Sequence, residues 1–261
     1  MMLKDKIAVI YGAGGDIGGA VARAFAREGA KLFLSGRNLR KVEAVAADVI
    51  DRGGVAEAAQ VDALDEQAVE KYVGAVAEKA GTIDISFSAI SVALPNKAPL
   101  LELSAEHFAL PITAYTQSNF LTARSAARRM VARRSGVILT ITGTPGHMGF
   151  PNVGGSAPAY AAVVALTRTL SAELAPQGVR VVCLMPNAIP ETATIRENFK
   201  RYAKAAGLTP AEYQARLESM THLRRLTTLA ELANAAAFLA SDHASAMTGT
   251  VANLSGGAIA D

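Results

Sequence analysis

The chain is short of the residues that build metal centres, cross-links and membrane spans. It has one cysteine, Cys183, which excludes a disulfide within the chain and a thiolate metal cage. Cys183 sits in the apolar run 181–185, where a small buried hydrophobe fits better than a nucleophile. The four histidines show no metal-ligand spacing, so no metal site is expected. No apolar run approaches the ~20 residues of a membrane span. The opening MMLKDK has no signal-peptide pattern, and the expectation is a cytoplasmic protein that does not partner a membrane. Nor is there a strong excess of charge, the formal net value being +3. Arg124, Arg128, Arg129, Arg133 and Arg134 do gather, but toward the C-terminal end of one helical stretch, where cations suit the helix dipole. That placement favours a solvated helix end over a nucleic-acid surface.

What the chain does have is apolar content. At 261 residues and 51% hydrophobic it can bury a large core, and one domain spanning 1–261 is expected. Residues 6–37 are the most informative stretch. Ile7 to Ile10 form a short apolar run, the mark of a strand buried on both faces. Gly12, Gly14, Gly15 and Gly18 follow, then Ile17, Val21 and Phe25 at a spacing of four, one stripe of an amphipathic helix that Gly29 closes. A second strand runs over 31–34. A glycine loop feeding a helix N-terminus presents bare N–H groups and the positive end of a dipole, which suits a phosphate. Framed by strand and helix within about 30 residues, it is a candidate dinucleotide site.

The remainder alternates. Helix 39–51 leads to strand 55–61, and Asp65 opens a helix whose Val69, Val73 and Val76 keep a helical period until Gly81. Ile83, Ile85 and Phe87 mark a strand, and an irregular piece over 88–103 contains Pro95 and Pro99. Helix to about Arg134, strand 137–141, a glycine-rich loop 142–155, helix 156–175 and strand 179–185 follow. Residues 190–222 are polar and helix-leaning, a candidate lid whose Ile195, Phe199, Tyr202, Tyr213 and Met220 suggest a moderately apolar ligand. Helix 229–240 and strand 250–254 end the chain. Strand–helix alternation without repeats predicts an α/β fold, a Rossmann-type doubly wound parallel sheet of about seven strands with helices on both faces.

These features resemble the short-chain dehydrogenase/reductase family over nearly the whole chain. YGAGGDIG (11–18) stands where the family has T-G-x-x-x-G-x-G, and LTRTLSAELAPQGVRVVCLMP (166–186) is similar to its helix–strand passage. The block 225–257, RLTTLAELANAAAFLASDHASAMTGTVANLSGG, is similar to its C-terminal segment. The resemblance implies a small-molecule substrate, a homodimer or homotetramer, and a nicotinamide cofactor. Gly12, Gly14, Gly15, Asp16, Ile17 and Gly18 would cradle its diphosphate, Ala89 would lie by the adenine ribose, and Asp62 would meet the adenine amine. The backbone of Ile189, in the turn after Pro186, would meet the carboxamide. Arg37, at the end of the second strand, suits a 2′-phosphate and favours NADP(H) over NAD(H). Asp16 departs from the pattern, replacing a glycine. A carboxylate ~4 Å from a phosphate costs about 4 kcal/mol at an effective dielectric of roughly 20, so Asp16 is expected to turn away and N-cap its own helix.

The family's carbonyl chemistry uses an Asn, a Ser and a Y-x-x-x-K pair. Aligned without gaps, this chain places Ser156 at the tyrosine, Tyr160 at the lysine, Gly143 at the serine and Tyr115 at the asparagine, with Asn119 one turn later. The standard groups are replaced by hydroxyls: Ser156 and Tyr160 at i and i+4 on one helix face, Thr142 or Thr144 beside Gly143, and Tyr115. A phenol with no cation beside it stays protonated at neutral pH, so it can donate a proton to a carbonyl but resists the reverse reaction. This predicts an oxidoreductase biased toward reduction of a small carbonyl compound. Two alternatives stay open: a lyase or isomerase on the same scaffold, and a catalytically silent nucleotide-binding or oligomer-partner protein. His147 is a further candidate acid or base, against the plainer expectation of a solvent-exposed loop histidine.

Overall fold

The computed structural model describes residues 1–92 and 98–260. Its strands are β1 (Ile7–Tyr11), β2 (Lys31–Gly36), β3 (Val55–Gln60), β4 (Ile85–Ser88), β5 (Gly136–Ile141), β6 (Val179–Pro186) and β7 (Val251–Leu254). The helices are α1 (Asp16–Arg27), α2 (Leu39–Asp51), α3 (Glu66–Ala80), α4 (Ala105–Arg133), α5 (Ser156–Leu174), α6 (Ala193–Ala205), α7 (Pro210–Ser219) and α8 (Leu229–Ala240). All strand pairs are parallel, in the order β3-β2-β1-β4-β5-β6-β7. The order reverses between β1 and β4, and ligands of open α/β sheets bind at such a reversal, beyond the carboxyl ends of the strands.

Side-chain alternation along the strands divides the core between the two faces of the sheet. Ala8, Ile10, Leu32, Leu34, Ile85 and Phe87 pack against Val21 and Phe25 of α1, Val42 of α2 and Leu232 of α8. Ile7, Val9, Phe33, Ile138 and Val181 pack on the other side against Val69 and Val73 of α3, Met130 of α4 and Leu170 of α5. Helix starts follow from local chemistry. Asn38, Asp65, Ser104 and Thr192 each accept a backbone N–H of the first turn, and Thr209 and Thr228 form capping boxes with Glu212 and Glu231. Gly81 ends α3 in the left-handed region, at φ 76°.

The arginines late in α4 are ion-paired rather than simply solvated. Arg124 pairs with Glu66, Arg128 and Arg129 with Glu70, and Arg133 with Asp84, while Arg134 donates to the Pro176 carbonyl at 2.9 Å. α3 supplies Glu66 and Glu70, and with Asp84 these carboxylates offset most of the charge of the cluster. Pro95, placed in the irregular piece after β4, lies outside the described residues. Among the described residues, no helix is long and apolar enough to cross a membrane, and no cluster of His, Cys, Asp and Glu could hold a metal ion.

Candidate active site

A cleft of about 460 Å³ opens at the β1/β4 reversal. It is bounded by the glycine loop, the segment after β5, the first turns of α5, the turn after β6, and α6 with α7. Gly12 and Gly18 hold the loop from behind. Gly12 has φ +72°, and a β-carbon there would lie 2.5 Å from the Ala89 carbonyl oxygen. At Gly18 a β-carbon would overlap the Gly12 carbonyl. Gly14, Gly15, Asp16, Ile17 and Ala89 line the cleft itself. A bare loop at the start of α1 fits the close approach of a diphosphate, with one objection, the side chain of Asp16.

The carboxylate of Asp16 does not cap its own helix, which corrects the expectation from sequence. Gly15 holds the N-cap position, with extended φ −90° and ψ 166°, and α1 begins at Asp16 with no side-chain cap. One residue too late to fold back, Asp16 reaches outward and accepts a hydrogen bond from the backbone N–H of Ala193 at 2.7 Å. Ala193 is the first residue of α6, so the carboxylate bridges the starts of two helices.

Two of the remaining cofactor candidates, Arg37 and Asp62, lie apart from the cleft lining. Arg37 directly follows β2 and is exposed, its carbonyl accepting from Gln60 Nε2 at 3.0 Å. Asp62 is exposed beyond β3, and its Oδ1 accepts from the N–H of Leu64 at 3.0 Å in a tight turn. Lys41, which the sequence did not single out, does line the cleft: a β-carbon on Gly14 would stand 2.8 Å from its Cβ. The Asn38 cap sets α2 so that Lys41, three residues on, faces the glycine loop, a placement no sequence spacing announces. Ile189 is buried and lines the cleft, its carbonyl accepting from both the N–H and hydroxyl of Thr192.

At the far end the candidate hydroxyls come together. Tyr115, Thr142, Thr144, Ser156 and Tyr160 all line the cleft. The rings of Tyr115 and Tyr160 lie 5.6 Å apart at 55°. Burial pushes the Tyr160 phenol well above the usual tyrosine range, and the neighbouring Tyr115 pushes it in the same direction. Ser156 opens α5 behind Gly155, where a side chain would overlap the Phe108 carbonyl, so α5 can start this close to α4 only with glycine there. The Ser156 hydroxyl is buried and has no hydrogen-bond partner among the described residues. Thr142 donates to the Tyr160 carbonyl at 3.3 Å, and Thr144 to Asn187 Oδ1 at 3.5 Å. Gly143 and Tyr160 are matched: a β-carbon at 143 would stand 3.3 Å from Tyr160 Cε2, so the phenol ring takes up space beside that position. Asn119 is buried within α4, donating to the Tyr115 carbonyl at 2.8 Å, and His147 is exposed; neither lines the cleft.

The outer wall is apolar. Ile195, Phe199, Tyr202 and Tyr213 line it, with the Tyr213 ring 5.8 Å from Phe199 and 6.0 Å from Tyr202. Tyr202, its phenol raised to about 12 by burial, donates to the Asn152 carbonyl at 3.4 Å. Met220, grouped with these residues by sequence, is 47% exposed and outside the lining; Leu217, one turn earlier in α7, takes that place. Cys183 is a buried small hydrophobe, as expected, and burial raises its thiol to about 11.

The chain is similar to known proteins along almost its whole length. The sequence model of the family described as enoyl-(acyl carrier protein) reductase matches residues 12–258. The cis-4-hydroxycyclohexanecarboxylate dehydrogenase of Sinomonas cyclohexanicum is 31% identical over 253 residues, covering 97% of this chain and 96% of the relative. The crystal structure of NAD+-bound xylitol dehydrogenase superposes with a TM-score of 0.92 at 27% identity, covering 98% of this chain and all of that one. Levodione reductase superposes with a TM-score of 0.90 at 28% identity, covering 98% of each chain.

Proposed function

The chain belongs to the short-chain dehydrogenase/reductase family, and from that premise we propose that it reduces a small, largely apolar carbonyl compound in an NADP(H)-dependent reaction. One observation carries this: a single cleft holds the glycine loop at one end and a cluster of hydroxyls, Tyr160 among them, at the other. When bound, the dinucleotide supplies the hydride. Gly14, Gly15 and Ile17 hold its diphosphate on this reading. Arg37 and Lys41, whose Cβ sits against Gly14, support a 2′-phosphate.

We take the family's Asn-Ser-Tyr-Lys set to be replaced by Tyr115, Gly143, Ser156 and Tyr160. Tyr160 Oη is then the proton donor to the carbonyl oxygen, with the Ser156 hydroxyl as the second donor. Thr144, held against Asn187, keeps the segment after β5 in place, and Thr142 fixes the backbone of Tyr160 itself. Among the described residues lining the cleft the only lysine or arginine is Lys41, next to Gly14. Without a cation to stabilise phenolate, the site serves reduction and disfavours alcohol oxidation. The segment 190–222 acts as the lid, and Phe199, Tyr202, Tyr213 and Leu217 select an apolar substrate.

The test is consumption of NADPH, followed by its absorbance, with a panel of cyclic and aliphatic ketones. Steady turnover with at least one ketone, cut sharply by Tyr160→Phe, is expected; turnover indifferent to that change removes Tyr160 from the chemistry. A second reading, a protein that binds without catalysis, draws on Asp16, whose carboxylate sits where a diphosphate would approach. Tight dinucleotide binding with no hydride loss across the panel would favour it.

A further inference from the structure

Asp16 joins two parts of the molecule that lie far apart in the chain. It is exposed in the glycine loop, yet its Oδ2 accepts the N–H of Ala193, 177 residues later in the chain. Ala193 opens α6, and two of the other donors at that end are already used: the N–H of Ile195 goes to the Thr192 hydroxyl and that of Arg196 to the Thr192 carbonyl. Two residues before Ala193, Glu191 is anchored to another helix, its carboxylate accepting the N–H of Leu229 at the start of α8. The entry to α6 is therefore pinned by two carboxylates, one from its own turn and one from the glycine loop.

Only one of these two pins stands in the cleft. Asp16, Ala193 and Thr194 all line it, between the glycine loop and the apolar wall. The starts of α1 and α6 both meet there, and both favour an anion. The anion now at this junction is the protein's own. We infer that Asp16 is an internal competitor for the diphosphate: its carboxylate occupies the anion position between the two helix starts and latches α6 down, and a dinucleotide binds only by displacing it. This rests on the dinucleotide reading above and adds that affinity and the freedom of α6 are set by one side chain. Because Asp16 is exposed, the carboxylate can swing into water without leaving a buried charge behind, which makes displacement feasible.

The latch is tested on the full chain with Asp16→Gly and with the near-isosteric Asp16→Asn, each checked for an unchanged thermal midpoint. Without ligand, hydrogen exchange at amides 193–197 is expected to rise at least fivefold in Asp16→Gly. Millimolar inorganic pyrophosphate should restore protection there in Asp16→Gly and have no effect on the unaltered protein. NADPH, titrated by its own fluorescence, should bind Asp16→Gly at least tenfold more tightly, with Asp16→Asn in between. Unchanged exchange at 193–197 overturns the latch, and equal NADPH affinity in all three proteins overturns the competition while sparing the cofactor reading. Pyrophosphate protection of Asp16→Gly with no NADPH binding by any of the proteins supports the inferred anion position and refutes the cofactor reading instead.

Discussion

Tyr160 is held in place by small neighbours as much as by its own contacts. Its ring lies beside Gly143, Thr142 grips its carbonyl, and Gly146 passes where a β-carbon would stand 3.0 Å from its Cβ. Tyr160→Phe keeps the ring and removes the proton, so kcat for ketone reduction should fall by about 100-fold with KM little changed. Parallel steady-state kinetics on the two proteins check this. Because burial raises the phenol's pKa, it remains a donor throughout the neutral and mildly alkaline range. The reductive kcat of the unaltered protein should then show no alkaline fall attributable to this group between about pH 6 and pH 9. Gly143→Ser should cost about 1 kcal/mol of stability by crowding the ring, and should lower turnover, not restore a family-like site. At this scale the sequence was partly legible. Ser156 and Tyr160 could be placed on one helix face from their spacing, because a helix enforces it. The partner of Asp16 could not, because no local rule connects residue 16 to residue 193.

Elements meet the site through close backbone approaches. α5 starts beside α4 only because position 155 lacks a side chain, and the glycine loop lies against the chain after β4 only because position 12 does. Gly155→Ala should destabilise by about 3 kcal/mol, since both the Phe108 backbone and the Pro111 ring lie in the way. Gly53→Ala, at φ +82° with nothing within 4 Å, should cost only the left-handed backbone strain, about 1 kcal/mol. Urea unfolding of the two variants beside the parent would separate these costs. Element boundaries were the most legible part of the sequence, since Asn38, Asp65, Gly81 and Thr228 act within a turn of their own positions. The line-up of walls around the cleft was less so. Lys41 and Leu217 face it because of how whole helices pack, while Met220, three residues after Leu217, points elsewhere.

Over the whole molecule, burial of tyrosine is a stability term with a definite sign. Tyr11, Tyr72, Tyr160 and Tyr202 all have phenols raised by burial, Tyr202 to about 12. The folded protein therefore holds more protons than the unfolded chain once the latter's phenols ionise near pH 10. Stability contributed by these groups is complete below about pH 10 and is lost as pH rises toward their folded values. Urea midpoints should hold steady from about pH 8 to pH 9 and fall by about pH 11, in step with tyrosinate absorbance. The parallel sheet and the two-sided core were foreseeable from strand–helix alternation, because a parallel sheet must be covered on both faces. What the cleft does rests on the joint use of its two ends. The most direct measurement is rapid mixing of the protein and NADPH with an apolar ketone while NADPH absorbance is followed under single-turnover conditions. Loss of the absorbance with one alcohol formed per NADPH oxidised, slowed about 100-fold in Tyr160→Phe, is the predicted result. Full NADPH binding with no hydride lost to any ketone of the panel would contradict it.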